Sequence, residues 1–186
     1  MNKFLILLNV AIAAFLLSCT GKDPQAGNAE LSIEENISFA DNQYGLMLTM
    51  LEDSGKILNP KSFIGGETKF IPPQEWTSGF FPGSLWYLYE LTGDEKWKEP
   101  AIKYTEALDT IQYYAGNHDV GFMIGCSYGN AFRLTGNETY KDVIVQAARS
   151  LSTRFNSTTG VIQSWNANPK KDWEYPVIID NMMNLE

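Results

Sequence analysis

Two residue types that build many protein sites are scarce in this chain of 186 residues, which has two cysteines and one histidine. Cysteine is too rare for a disulfide framework, and no cluster of histidine, cysteine and carboxylates has metal-ligand spacing. The sequence also lacks a phosphate-binding loop and a dinucleotide-binding fingerprint. We therefore expect neither a metal ion nor an organic cofactor.

Positive charge is scarce as well. The sequence has 14 lysines and arginines against 22 aspartates and glutamates, a formal net charge of −8. This balance argues against a broad basic face of the kind that binds nucleic acid or heparin-like polyanions. The acidic net charge is nevertheless compatible with the binding of a single anionic sugar in a small local pocket.

The N-terminal apolar segment is shorter than the ~20 residues that a bilayer-spanning helix needs. It runs from Phe4 to Leu17 after Lys3, as in an export signal. It ends in Leu16-Leu17-Ser18-Cys19-Thr20, which resembles a bacterial lipobox. The alternative is an ordinary cleaved signal with a chance cysteine.

We interpret residues 1–18 as a lipoprotein signal peptide, Cys19 as the lipidation site and residues 19–29 as a flexible tether. This predicts a protein of the bacterial cell envelope that faces the periplasm or the cell surface. Its contact with the membrane would be through the lipid anchor alone.

A sequence motif recurs farther along the chain. Trp76-Thr77-Ser78-Gly79-Phe80 leads into Leu91-Thr92-Gly93-Asp94-Glu95, and His118-Asp119-Val120-Gly121-Phe122 leads into Leu134-Thr135-Gly136-Asn137-Glu138. The offset is 42 residues between Gly79 and Gly121 and 43 between Gly93 and Gly136. A repeat of this length is typical of one helical hairpin, and such hairpins stack to bury their apolar faces.

Apolar spacing predicts five helices and the start of a sixth. The second and fourth are apolar nearly all round, whereas the third and fifth have charged outer faces. Residues 56–75 are expected to form a loop, and residues 158–165 a short strand or extended segment. The predicted helices begin at Ser32 and then cover about 79–91, 95–113, 121–134 and 138–154, with the sixth starting near Val177.

Alternation of inner and outer helices predicts an all-α fold, an (α/α)6 barrel of helical hairpins, with an open superhelix as the main structural alternative. About three hairpins are present, and the sequence ends inside an apolar helix start. We therefore expect residues 30–186 to be the N-terminal part of an (α/α)6 catalytic domain.

Two aspartates occupy matched places, because Asp119 and Asp180 each lie at a predicted inner-helix start. Each could simply cap its helix, which typically contributes about 1 kcal/mol. Together they predict a pair of carboxylates at one cavity mouth. In a partly apolar cleft one member of such a pair tends to stay protonated, as acid/base chemistry on a sugar requires.

Aromatic residues on the neighbouring loops support a sugar ligand. Trp76 and Trp165 could stack on a pyranose ring, with core packing as the alternative for each. His118 is a candidate for a hydrogen bond to a substrate hydroxyl, or for a structural role beside the helix start. Cys126 lies in an apolar helix start and is interpreted as a core residue.

Three segments in this order resemble glycoside hydrolase family 88, the unsaturated glucuronyl hydrolases. They are Trp76 to Trp86, His118 to Met123 and Ile179 to Asn184, and the resemblance covers about residues 30–186. It implies the (α/α)6 barrel. It also implies a substrate made by polysaccharide lyases, an oligosaccharide with a Δ4,5-unsaturated uronic acid at its non-reducing end.

The resemblance also implies a mechanism of vinyl-ether hydration. Asp180 would be the general acid/base that protonates C4 and helps water to add at C5, after which the hemiketal rearranges and expels the remaining sugar. Asp119 would be the second essential carboxylate, which holds substrate hydroxyls and tunes the charge of Asp180.

Three alternatives stay open at this point. One is an unsaturated rhamnogalacturonyl hydrolase on the same barrel, although the phrase at residues 118–122 favours the glucuronyl enzymes. Another is a non-catalytic glycan-binding lipoprotein on the same scaffold. The third is a helical-repeat protein that binds other proteins.

Overall fold

Helices dominate the computed structural model, which describes residues 24–54 and 57–185. The prediction of an all-α class is confirmed, with two small antiparallel hairpins added. No helix in these two ranges is both long and apolar enough to cross a membrane. The predicted signal peptide, residues 1–18, and Cys19 lie outside the described residues.

The first helix, α1 (Pro24–Asp53), begins before the predicted start at Ser32. It therefore includes residues 24–29 of the segment interpreted as a tether. The described chain divides into two compact units between Ser38 and Phe39, within α1. In the first unit, Ile33 is 60% exposed, so this apolar residue near the start of the predicted helix is not buried.

A β-hairpin replaces most of the loop predicted over residues 56–75. Strand β1 (Asn59–Ile64) pairs antiparallel with β2 (Glu67–Ile71). Gly65 and Gly66, which join them, both have positive φ angles, 61° and 84°. A two-residue hairpin turn favours this conformation, which glycine adopts without steric cost.

The second unit continues with five α-helices, joined to short 3-10 and π turns. The inner segments bury large side chains such as Leu85 and Trp86, while α6 presents one charged face to solvent. The helices are α2 (Phe80–Thr92), α3 (Lys98–Glu106), α4 (Val120–Ile124), α5 (Asn130–Thr135) and α6 (Glu138–Ser152).

Two predicted helices are shorter in the structure than the sequence suggested. The helix expected over 95–113 ends at Glu106 and is followed by a separate 3-10 turn, Asp109–Tyr113. The sixth helix, expected near Val177, is a 3-10 turn, Ile179–Asn184. Asp180 thus lies in a tight turn rather than at the start of an α-helix.

A π turn (Gly125–Gly129) joins α4 to α5 and explains the uneven repeat offset. A π turn holds one more residue than an α-helical turn. The offset of 42 residues at Gly79/Gly121 therefore becomes 43 at Gly93/Gly136. Both repeats end alike, since Gly93 and Gly136 are left-handed helix caps with φ angles of 66° and 67°.

Repeated glycines let successive inner segments approach closely. A Cβ atom on Gly79 would lie within 2.8 Å of three backbone atoms of Met123 in α4. A Cβ atom on Gly121 would lie within 2.7 Å of three backbone atoms of Asn184 in the last 3-10 turn. The glycine at position 121 thus allows the short distance between α4 and the segment that contains Asp180.

A second small hairpin follows α6. Strand β3 (Phe155–Asn156) pairs with β4 (Val161–Ile162), which confirms an extended segment within residues 158–165. The chain then returns toward α4, because the Ser164 carbonyl accepts a hydrogen bond from the backbone N–H of His118 at 3.0 Å.

Candidate active site

The two aspartates meet at the histidine. His118 Nε2 lies 3.4 Å from Asp119 Oδ1 and 3.4 Å from Asp180 Oδ2. One donor atom from each of the three residues lies within 4.8 Å of the other two. The two carboxylates therefore lie close together in the structure, although 61 positions separate them in the sequence.

Burial differs sharply across this trio. The side chain of His118 is fully buried, that of Asp119 is 10% exposed and that of Asp180 is 39% exposed. The site is therefore open to solvent at Asp180. Neither ring nitrogen of His118 has a hydrogen-bond partner among the described residues. The ring is closed off from solvent, so this position does not favour the predicted hydrogen bond to a sugar hydroxyl, although Nε2 lies 3.4 Å from an oxygen of each carboxylate.

Capping does not explain either carboxylate. Asp119 occupies the N-cap position of α4, yet its side chain makes no capping hydrogen bond. The N-cap of the last 3-10 turn is Ile178, so Asp180 lies inside that turn. Both carboxylates stay available for chemistry, and the capping alternative does not apply here.

The surroundings of Asp119 favour its protonated form. Burial is the main cause that raises the pKa of Asp119 above its usual value. The negative charges of Asp180 and Glu75 raise the pKa further, whereas His118 lowers it. A carboxyl group of this kind can keep a proton beside a more exposed carboxylate, which is the division of charge that acid/base pairs use.

Ser164 joins the two segments that contain the aspartates, and it is fully buried. Its carbonyl accepts from the His118 N–H, and its own N–H donates to the Pro176 carbonyl at 2.9 Å. Its hydroxyl accepts from the Ile178 N–H at 3.1 Å. One small residue therefore fixes the backbone on both sides of the site.

Aromatic rings cover one side of the trio. Trp165 packs edge-on against His118, with ring centroids 5.5 Å apart, and stacks on Trp173 at 5.6 Å and 20°. Lys171 Nζ lies 4.5 Å from the centre of the Trp173 ring. Half-buried Trp165 therefore lies beside His118, the residue that both carboxylates face.

Trp76 lies on another side of α4. It is 44% exposed and packs against Phe80 and Phe122, with centroid distances of 5.6 and 6.3 Å. Its exposed face is available to a ligand. Among the described residues, no hydrogen bond or ring contact joins Trp76 to His118, Asp119 or Asp180.

The trio is also the one group among the described residues with donor atoms close enough to hold a metal ion. An imidazole nitrogen with two carboxylates is a donor set that zinc sites use. Sequence spacing missed this cluster because Asp180 comes from a distant segment. The raised pKa of buried Asp119 fits proton transfer, and we interpret the trio in that way.

Three residues of the site were missed by the sequence analysis. Trp173 stacks on Trp165, Ser164 joins two segments, and Asn184 bonds to both aspartate segments. Ser164 and Trp173 lie in irregular chain, where no periodicity marks a residue. Asn184 closes the segment from Ile179 that resembled the family, which was a usable signal.

Comparison with known proteins gives relatives of one kind. The chain is 36% identical over 188 aligned residues to an unsaturated glucuronyl hydrolase of Formosa agariphila, covering all of this chain and 47% of that protein. It is 32% identical to an unsaturated chondroitin disaccharide hydrolase of Streptococcus agalactiae, over 63% of this chain and 30% of that protein. The chain thus spans less than half the length of these relatives, and no protein-family model matches it.

A solved structure agrees with the sequence relatives. It is an unsaturated glucuronyl hydrolase specific for heparin, which aligns with a TM-score of 0.64 and 49% identity over 68% of this chain and 34% of that protein. The fold, the segment order and these matches agree with one another. The chain is therefore homologous to part of the unsaturated glucuronyl hydrolases, glycoside hydrolase family 88.

Proposed function

We propose that the protein containing this chain removes a Δ4,5-unsaturated glucuronic acid from the non-reducing end of lyase-generated glycosaminoglycan oligosaccharides. The observation that carries this proposal is the convergence of Asp119 and Asp180 on His118. The names of its relatives, which include chondroitin disaccharide and heparin-specific hydrolases, support the substrate class.

Asp180 is the proposed general acid/base because it is the more exposed carboxylate of the pair. Its proton goes to C4 of the alkene, and it then accepts a proton from the water that adds at C5. The resulting hemiketal rearranges and releases the remaining sugar. Water is the one co-reactant, so this chemistry needs no oxidant or reductant.

In this proposal, the neighbouring Asp119 and His118 influence whether Asp180 is protonated or ionised. The pair shares one proton: buried Asp119 retains it in the free site, and Asp180 holds it when the sugar is bound and donates it to C4. His118 Nε2 lies 3.4 Å from an oxygen of each carboxylate, and the His118 charge lowers the pKa of Asp119. Trp165 beside them offers a flat apolar surface to the sugar ring.

The central experiment follows the ultraviolet absorbance of the conjugated alkene, which disappears on hydration. In the full-length protein, we expect Asp180→Asn to lower kcat by at least about a hundredfold on an unsaturated chondroitin or heparin disaccharide. Asp142→Asn, at an exposed position on α6, is the matched control and should leave kcat unchanged.

Two outcomes would replace this proposal. Loss of the alkene signal from an unsaturated rhamnogalacturonan disaccharide, but from no glucuronyl substrate, would favour the related hydrolase. Binding of the oligosaccharide without loss of absorbance, unchanged in Asp180→Asn, would favour a non-catalytic glycan-binding protein.

We also propose that Cys19 carries a lipid that attaches the protein to the bacterial envelope. The support is the segment Leu16-Leu17-Ser18-Cys19-Thr20 after an apolar stretch. Metabolic labelling with a fatty-acid analogue should mark the wild-type protein and not Cys19→Ser. Equal labelling of both would contradict the anchor.

A further inference from the structure

The helix that follows Asp119 is capped from elsewhere in the chain. An aspartate at the N-cap ordinarily accepts a hydrogen bond from the second or third N–H of its helix. In α4 the third N–H belongs to Phe122, and it donates to Asn184 Oδ1 at 2.8 Å. Asn184 lies 62 positions farther along the chain and is 5% exposed.

The same side chain also contacts the other aspartate's segment. Asn184 Nδ2 donates to the backbone carbonyl of Asp180 at 3.2 Å. The close approach depends on Gly121, since a Cβ there would lie within 2.7 Å of three backbone atoms of Asn184. One amide therefore joins the start of α4 to the turn that contains Asp180.

We propose that Asn184 is a positioning residue that caps α4 in place of Asp119 and so leaves the Asp119 carboxylate free to face His118 and Asp180. This inference rests on the proposed function, since it assigns a purpose to the free carboxylate. Without the Asn184 oxygen the Phe122 N–H has no acceptor. Asp119 has helical dihedral angles, φ −68° and ψ −2°, so its backbone would have to shift toward the extended region before its carboxylate accepted from this N–H, and that shift would move the carboxylate away from the site.

Asn181 supplies a matched control on the same 3-10 turn. It is 7% exposed, and its amide donates one hydrogen bond, to the Ile162 carbonyl at 2.7 Å. Asn181→Ala and Asn184→Ala thus remove the same atoms from similarly buried positions. They differ in that Asn184 bonds to the helix of Asp119, whereas the Asn181 bond goes to β4.

The experiment compares kcat, KM and the melting temperature of these variants in the full-length protein. We expect Asn184→Ala to lower kcat at least about tenfold with KM changed less than about threefold, because the charge arrangement is lost while the sugar-binding surface stays. Asn181→Ala should lower the melting temperature by a similar amount but keep kcat within about threefold of wild type.

A conservative variant separates the cap from the second hydrogen bond. Asn184→Asp keeps an oxygen that can accept from the Phe122 N–H but loses the donor to the Asp180 carbonyl. We expect it to recover most of the kcat that Asn184→Ala loses. Equal kcat losses in Asn181→Ala and Asn184→Ala, or no recovery in Asn184→Asp, would overturn the proposal.

A structure of Asn184→Ala tests the inference without any activity, so its failure is distinct from failure of the proposed function. We expect an oxygen of the Asp119 carboxylate about 2.9 Å from the Phe122 nitrogen. A carboxylate that still faces His118, with the Phe122 N–H unpaired, would contradict the cap exchange even if the enzyme is active.

Discussion

The first helical repeat, residues 76–95, and the second, residues 118–138, end in the same kind of cap, but the second contains a π turn and differs in chemistry at the start of the inner helix. At the end of each inner helix, a threonine hydroxyl donates to a helix carbonyl and accepts from the next cap residue. A left-handed glycine follows each threonine. The equivalent pairs are Thr92 and Thr135, Gly93 and Gly136, and Asp94 and Asn137.

The starts of the two inner helices differ at three equivalent positions, Trp76/His118, Thr77/Asp119 and Ser78/Val120, and the second of these changes the polar contacts. In the first repeat, the N–H and the hydroxyl of Thr77 both donate to Glu75, so the polar groups satisfy one another. In the second repeat Asp119 replaces Thr77, and its carboxylate faces His118 instead. A frame set by helix packing thus accepts an acidic residue at this position without a change of fold.

Glu75 and Asp119 show the difference in their charge states. Burial alone would raise the pKa of Glu75, but hydrogen bonds from Lys61 and Thr77 outweigh it and lower that pKa. Burial dominates at Asp119 and raises its pKa. Hydrogen bonds therefore stabilise Glu75 as an anion, whereas burial favours the protonated form of Asp119.

The largest effect is expected where the repeats differ most. Asp119→Asn should lower kcat by about a hundredfold or more, because it removes one member of the acid/base pair. Thr77→Val at the equivalent place should keep kcat within about threefold, since that hydroxyl bonds within its own turn. Steady-state kinetics with an unsaturated disaccharide checks both, and similar losses in the two variants would remove the distinction.

A smaller effect is expected from the glycines that set the inner spacing. Gly121→Ala should reduce the free energy of unfolding by about 1–3 kcal/mol, because the added Cβ overlaps the Asn184 backbone. Its kcat should fall as the Asp180 turn is displaced.

The control for this change lies one turn farther along the same inner segment. Gly125→Ala adds its Cβ to open space and should leave both the unfolding free energy and kcat nearly unchanged. Denaturant titration and kinetics on the three proteins provide the check. A Gly121→Ala enzyme with wild-type kcat would show that the close approach is not needed.

Removing the helix-capping side chain should reduce the free energy of unfolding equally in the two repeats. Asp94 accepts from the Lys96 N–H and Asn137 from the Thr139 N–H, at 2.9 and 3.1 Å. Replacing either by alanine should cost about 1 kcal/mol of unfolding free energy and leave kcat unchanged. Denaturant titration measures this cost, and a loss of activity in Asn137→Ala alone would mean that chemistry extends into this cap.

The smallest expected effect is on the pH dependence of folding stability, which should have opposite signs for Asp119 and Glu75. The raised pKa of Asp119 means that the folded state loses stability as pH rises above the usual value of 3.8. Asp119→Asn should therefore be more stable than wild type at neutral pH, with the gap closing as pH falls to 3.8.

Glu75→Gln should behave in the reverse way. The lowered pKa of Glu75 stabilises the folded state above the usual value of 4.5, and this stability is lost as pH falls through the lowered pKa. The variant should be less stable than wild type at neutral pH and equal to it in strong acid. Thermal melts across pH measure both variants, and gaps of the same sign would contradict the assigned charge states.

Much of this frame was predictable from the sequence, because helix packing repeats and leaves a period. The offsets of Gly79/Gly121 and Gly93/Gly136 located both hairpins, and the apolar segments that follow Asp119 and Asp180 pointed to the acid pair, although Asp180 lies inside a 3-10 turn rather than at a helix start. The extra residue between the two offsets was visible as well. The cause of this extra residue, a π turn, is visible only in the three-dimensional structure.

The connections between helices were less predictable because their contacts are distant in sequence. Residues 56–75 were expected to form a loop, although the pair Gly65-Gly66 between Ile64 and Glu67 marks a hairpin turn. The capping of α4 by Asn184 could not be found from spacing. It depends on a hydrogen bond between residues 62 positions apart.

The most direct test of the central claim is a crystal structure of the full-length Asp180→Asn variant with an unsaturated glucuronyl disaccharide. The account predicts that C4 of the alkene lies about 3–3.5 Å from the side chain at position 180, with the sugar ring beside Trp165 and Asp119 within hydrogen-bond reach of its hydroxyls. A disaccharide bound elsewhere on the molecule, with these side chains free of ligand, would contradict it.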